Sequence, residues 1–178
     1  YCVISQSGLN CELTSNTAEI TTTQGPNFST QPITQNVCVD GAITALTVSY
    51  QNGTGIPSYQ WYGNSTNSTA TGTPISGETN PTYTPATDAT GTLYYYCNIT
   101  FTTGGCSSIT SDIGAIIVSP DPTISTQPLA TQSICVGGTI DQALSVSYTA
   151  GVGVIIYQWQ VDGVDIFGAT SPTFLPGS

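Results

Sequence analysis

The feature that most limits what this chain can fold into is that its landmarks occur twice, in the same order, roughly a hundred residues apart. Ser29-Thr30-Gln31-Pro32 returns as Ser125-Thr126-Gln127-Pro128 at an offset of 96. Val37-Cys38-Val39 returns as Ile134-Cys135-Val136 at 97, and Leu46-Thr47-Val48-Ser49-Tyr50 as Leu144-Ser145-Val146-Ser147-Tyr148 at 98. Tyr59-Gln60-Trp61 becomes Tyr157-Gln158-Trp159, also at 98. Ile75-Ser76-Gly77 through Pro81-Thr82-Tyr83 becomes Ile166-Phe167-Gly168 through Pro172-Thr173-Phe174 at 91, the loop before it being shorter. Cys2 and Cys11 return as Cys97 and Cys106 at 95, nine residues apart in both copies. A chain of this kind is a series of like units.

The order of the landmarks sets the expected divisions. Residues 1–20 hold the last hairpin of one unit, turning near Ser7-Gly8. Residues 21–118 hold a complete unit, led in by a Thr, Gly and Pro linker from Thr21 to Pro26. Residues 119–178 begin with Ser119-Pro120-Asp121-Pro122, held extended by its prolines, and hold a third unit without its last two strands.

Within a unit the local signals are those of strands. Leu46, Val48 and Tyr50 alternate with Thr47 and Ser49, the period-2 pattern of a strand with one wet face. Tyr59 and Trp61 share an inward phase against Gln60, and Tyr95, Cys97, Ile99 and Phe101 share another. Asn-Gly, Gly-Gly and Asn-Pro turns punctuate the runs, and no stretch has helical periodicity. The expected fold class is all-β, with about seven short strands per unit closed into a two-sheet sandwich.

Composition narrows the chemistry. The 178 residues include no Lys, Arg or His against ten Asp and Glu, a formal charge of -10. Phosphate backbones and anionic lipids are held by cationic side chains, so nucleic acid and membrane surfaces are excluded as partners. Without His the commonest general base and metal ligand is missing, and Ser-His-Asp and Cys-His chemistry with it. No apolar run is long enough to span a bilayer as a helix. Six cysteines with no His and no Cys-x-x-Cys pair point to a disulfide framework in an oxidising compartment rather than to zinc.

The run of phrases from ISTQP through ICVGG, SVSY and YQW to GATSPTF, YYYC and GGCSSITSD resembles the tandem immunoglobulin-like repeats of very large secreted surface proteins of Bacteroidota, gliding-associated adhesins among them. The resemblance covers nearly the whole chain. It implies an extracellular, cell-surface array and names no ligand. It also implies roles for particular residues. Val48 and Trp61, thirteen apart, match the second-strand core position and the core tryptophan, and Val146 and Trp159 repeat them. Tyr95, two residues before Cys97, matches the tyrosine whose hydroxyl ties back to the loop entering its strand. The chain departs from the pattern at Val48, which stands where the usual inter-sheet cysteine would be, with Cys38 ten residues earlier.

The candidate sites are few. Structural disulfides draw on Cys2, Cys11, Cys38, Cys97, Cys106 and Cys135. Cys97–Cys106 would staple a hairpin, Cys38–Cys97 would tie the sheets, and Cys38–Cys106 would join the ends of stacked neighbours. A core is expected around Val48, Trp61, Tyr95, Val146 and Trp159. Tyr62, Tyr94 and Tyr96 point outward and offer an aromatic strip for a glycan, or pack across strands on a sheet face. The acids are dispersed, and no cofactor is implied. Calcium needs six or more oxygens, which leaves only a site shared at a domain junction.

The expected function is therefore that of a non-enzymatic extracellular structural region, the stalk or filament of a bacterial surface adhesin, its partners being neighbouring repeats or other copies of the chain. Two alternatives stand beside it: a filament subunit completed by strand exchange between chains, and a carbohydrate-binding accessory module of a secreted protein.

Overall fold

A computed structural model describes residues 1–102 and 108–177. The described chain is all-β, without helices. A leading hairpin pairs β1 (Val3–Ser5) with β2 (Glu12–Thr14), with Gly8 in the left-handed region at its turn. The complete unit then runs through β3 (Asn27–Thr30), β4 (Gln35–Cys38), β5 (Leu46–Thr47), β6 (Ser49–Gln51), β7 (Pro57–Asn64), β8 (Thr73–Pro74), β9 (Thr82–Tyr83), β10 (Gly91–Phe101), β11 (Ile109–Thr110) and β12 (Gly114–Ser119). The last stretch contributes β13 (Thr123–Thr126), β14 (Leu144–Ser145), β15 (Ser147–Thr149), β16 (Gln160–Val161), β17 (Val164–Asp165) and β18 (Thr173–Phe174).

In the complete unit one sheet has the order β4-β12-β10-β7-β8, with β11 also on β10. The other layer is made of the pairs β3-β6 and β5-β9. All contacts in the large sheet are antiparallel except β4 with β12, which is parallel. The two layers face each other across one core. Leu46 and Val48 come from the smaller layer, and Trp61, Tyr95, Cys97, Ile99, Phe101, Ile116 and Val118 from the larger. These are the period-2 positions, since alternate side chains of a strand leave on the same face. The unit is thus a β-sandwich.

Its chain ends lie at opposite ends of the sandwich. Asn27 pairs with Gln51, next to the loop that leads to Pro57, which pairs with Phe101. Ser119 follows Val118, which pairs with Gly91 at the far end of β10. Eleven residues of β10 separate the two ends, roughly 35 Å of extended chain.

The third stretch repeats the template bond for bond. Trp61 Nε1 donates to Asn80 O at 2.9 Å, and Trp159 Nε1 to Ser171 O at 2.8 Å. Gln60 Nε2 donates to the carbonyls of Trp61 and Ile75, both at 2.8 Å, and Gln158 Nε2 to those of Trp159 and Ile166, both at 2.9 Å. Val48 N–H and Val146 N–H donate to the carbonyls of Pro81 and Pro172, each at 3.0 Å. The recurrence of Gln in Tyr-Gln-Trp therefore has a physical reason. Its amide adds a second hydrogen bond to two carbonyls beside the tryptophan that already accept backbone N–H groups, Trp61 O from Ile75 and Ile75 O from Glu78, and ties the strand to the turn that follows it.

Linkers meet their units in a fixed way too. Asn52-Gly53 and Ala150-Gly151 both take the left-handed pair of conformations (φ 61 and 81, φ 61 and 80). A Cβ on Gly53 would come within 2.9 Å of the Pro26 Cβ, and one on Gly151 within 3.1 Å of the Pro122 Cβ. Each linker proline rests on the turn of the unit it leads into, a contact that only glycine permits.

Candidate functional site

The cysteines, the outward tyrosines and Tyr95 are the residues for which the sequence predicts roles. Cys2, Cys11 and Cys135 are exposed free thiols, Cys38 is half-buried and free, and Cys97 is buried and free. Cys106 lies outside the described residues.

Register explains why Cys38–Cys97 and Cys2–Cys11 bridges do not form; Cys97–Cys106 and Cys38–Cys106 involve a residue outside the described ones. Cys38 pairs with Ser119, one residue beyond the Val118–Gly91 pair, so it stands level with Thr90. Cys97 pairs with Trp61 on the same sheet, seven residues further along β10. Seven residues of strand are roughly 23 Å, whereas a disulfide needs its Cα atoms within about 7 Å. A Cys38–Cys97 tie between the sheets is thereby ruled out, and both residues belong to one sheet. In the leading hairpin Cys2 faces Ser15, whose N–H donates to Cys2 O at 2.8 Å, while Cys11 O accepts from Gln6 N–H at 3.3 Å. The two cysteines are thus four positions apart along the hairpin and are not cross-strand partners. Buried Cys97, enclosed by the core, has its thiol pushed up from 9.0 to about 11 by burial, partly offset by the Gln60 backbone hydrogen bond, so at neutral pH it is a protonated hydrophobe.

The tyrosines divide. Tyr62 and Tyr96 are stacked, centroids 5.0 Å apart and planes 3° from parallel, as cross-strand partners of β7 and β10. Tyr96, expected as a surface residue, is only 3% exposed. Its phase does point away from the core, but the loop leading to β8 folds over it. A Cβ on Gly72 would lie 2.6 Å from the Tyr96 ring. The strip offered to solvent is reduced to half-buried Tyr62 and Tyr94, with one face of the Tyr62 ring already used.

Tyr95 is in the core against Tyr83, centroids 5.5 Å apart, and burial followed by the proximity of Tyr83 pushes its hydroxyl from 10.0 up to about 12. The expected tie from that hydroxyl to the loop entering β10 is not formed among the described residues. Instead Tyr95 floors a cleft of about 380 Å³ whose wall is that loop, Asp88 through Gly91, with Ile116 and Val118 opposite.

Val48 and Trp61 are fully enclosed. Val146 and Trp159 hold the same backbone positions but are half-buried, because among the described residues no strands continue their sheet as β10 and β12 continue the sheet beside Trp61. Among the described residues no three His, Cys, Asp or Glu side chains are grouped to hold a metal. A second cleft lies at the junction, lined by Val37, Cys38, Ile117 and Ser119 of the complete unit and by Val152 and Gly153 beyond the linker.

What these features define is a β-sandwich whose polar groups serve the fold and whose linkers are seated on it. The chain belongs to a family described as a domain of unknown function, DUF8696, whose match spans residues 28–120, over half of the 178. That span coincides with β3 through β12. No curated protein and no solved structure matches the chain.

Proposed function

We propose that this chain is part of the structural stalk of a bacterial cell-surface adhesin: a non-enzymatic, extracellular array of immunoglobulin-like sandwiches, similar to the repeats of large secreted surface proteins of Bacteroidota. The observation that carries this reading is the recurrence of one bonding template in successive units joined by linkers whose prolines rest on turn glycines, Pro26 on Gly53 and Pro122 on Gly151. A seated proline limits the bending of a linker, which is what projection of a distal site requires. The -10 charge without any Lys or Arg supports it as well, since like-charged units repel and stay extended and trypsin-like proteases find no cleavage residue. Oxidising surroundings suit the cysteines if bridges join neighbouring units. Cys38 stands at the trailing end of its unit, in the cleft shared with Val152 and Gly153.

Small-angle scattering of the 178-residue chain, together with a glycan array, tests the reading. An extended particle, with no glycan bound, agrees with a stalk. A particle folded back on itself, or a glycan signal lost in Tyr62→Ala or Tyr94→Ala, would replace it with a binding module.

A further inference from the structure

Leu93 leaves β10 on the same side as Tyr95 and Cys97 and pairs with Ile116, which is 2% exposed, yet Leu93 itself is 48% exposed. It lines the cleft of about 380 Å³ that Tyr95 floors, together with Tyr83, Ile116 and Val118. A volume of that size, walled mostly by apolar and aromatic side chains, suits a small organic molecule.

The walls are fixed before any ligand arrives. Asp40 N–H donates to Thr87 O and Thr87 Oγ1 to Gly41 O, each at 2.9 Å, so the loop from Asp88 to Gly91 starts from a residue tied to the turn after β4. The Tyr83 and Tyr95 rings, one from each layer, lie with centroids 5.5 Å apart.

Two polar groups of the cleft lack partners. Tyr95 is 6% exposed, and a phenol so enclosed ordinarily finds a hydrogen bond, but its hydroxyl makes none among the described residues. Asp88 is exposed on the loop, and a chain without Lys, Arg or His has no side chain to neutralise it. A single carboxylate falls short of the six or more oxygens that calcium takes. An anion would meet the field of a chain of net charge -10. Leu93, Ile116 and Val118 offer a polyol no hydrogen bond.

We propose that this cleft binds a small organic ammonium ion, its apolar body against Tyr83, Leu93, Ile116 and Val118 and its cationic head donating to the Asp88 carboxylate and the Tyr95 hydroxyl oxygen. A primary ammonium has three N–H donors, enough for both acceptors. The tyrosine rings add cation–π attraction, and the charge of the whole chain gathers cations around it. Ligand capture here does not depend on the array being a stalk.

Titration of the isotope-labelled 178-residue chain with phenethylammonium at constant ionic strength, followed by amide NMR, tests the proposal. The expected result is saturable movement of the signals of residues 88–93 and Ile116, with a Kd of about 1 mM. Phenethyl alcohol, of similar shape without the charge, should bind at least about threefold more weakly, and Asp88→Asn should weaken binding of the ammonium ion as much. Tyr95→Phe should weaken it about threefold without lowering the melting temperature, which separates loss of a ligand contact from loss of the core. Glu12→Gln, which removes an acid from the leading hairpin, should leave the affinity unchanged. Signals that fail to saturate, or equal binding of the alcohol, overturn the proposal. So does full affinity in Asp88→Asn or Tyr95→Phe, or a loss in Glu12→Gln that matches the loss in Asp88→Asn.

Discussion

Trp61 and Trp159 make the same indole hydrogen bond, to Asn80 O and Ser171 O, yet only Trp61 is enclosed. The difference lies in what adjoins them. β10 extends the sheet beside Trp61, which packs with Tyr83, centroids 5.9 Å apart, while Trp159 keeps its ring contact, Phe174 at 5.7 Å, with no such neighbouring strand among the described residues. Trp61→Ala should therefore cost the complete unit about 3–5 kcal/mol, and Trp159→Ala clearly less. Urea melts of the two variants measure this, and a larger loss at Trp159 would contradict the packing described.

Mapping under non-reducing conditions, with a protease that does not need Lys or Arg, should find neither a Cys38–Cys97 nor a Cys2–Cys11 bridge. Cys97 should be the slowest of the five described cysteines to react with a thiol reagent in the folded chain, and should react at once in denaturant. Fast labelling of Cys97 in the native protein would show that the core opens locally.

Alkaline pH should destabilise the complete unit. Tyr95 is raised from 10.0 to about 12 and Cys97 from 9.0 to about 11, both chiefly by burial. Folding favours the protonated form of each, so their contribution is complete below pH 9.0. It is lost as pH rises through about 11 for the thiol and about 12 for the phenol, because the unfolded chain ionises first. Denaturant midpoints measured from pH 8 upward should fall across that window. A flat profile would mean that Tyr95 and Cys97 are not enclosed.

Gly114 begins β12 with no room for a side chain. A Cβ there would lie 2.9 Å from the Pro32 Cβ, 3.1 Å from Ile33 O and 3.3 Å from Leu46 Cδ2. Gly114→Ala should destabilise by about 1–3 kcal/mol, seen as a lower melting temperature with the fold retained by circular dichroism.

Ala150 occupies the left-handed position that Asn52 fills in the complete unit, both at φ 61. Asn tolerates that region better than Ala does. Ala150→Asn should stabilise the third unit by about 0.5–1 kcal/mol, read from local hydrogen exchange across residues 144–174.

The strands were legible wherever one face of a strand is wet. Leu46, Val48, Trp61, Cys97 and Ile99 have their inward phase written in the alternation, and the Asn52-Gly53 turn in its residue types. Contacts between distant segments left no such mark. Tyr96 has an outward phase, and only the loop carrying Gly72, far away in sequence, encloses it. The separation of Cys38 from Cys97 depends on β4 running parallel to β12, a register that spacing along the chain does not encode. Proline at 26 and glycine at 53 are each ordinary; that one rests on the other is visible only in three dimensions.

That parallel contact has a consequence for force. Gln35 through Cys38 pair in step with Ile116 through Ser119, and both strands run toward the trailing end of the unit. Tension entering through Asn27 draws β4 one way, while tension leaving through Ser119 draws β12 the other. The load falls along the strands, so the hydrogen bonds between them must fail together rather than one after another. A unit stretched between its own ends should resist with a single abrupt rupture, where the same sheet peeled sideways would open at much lower tension.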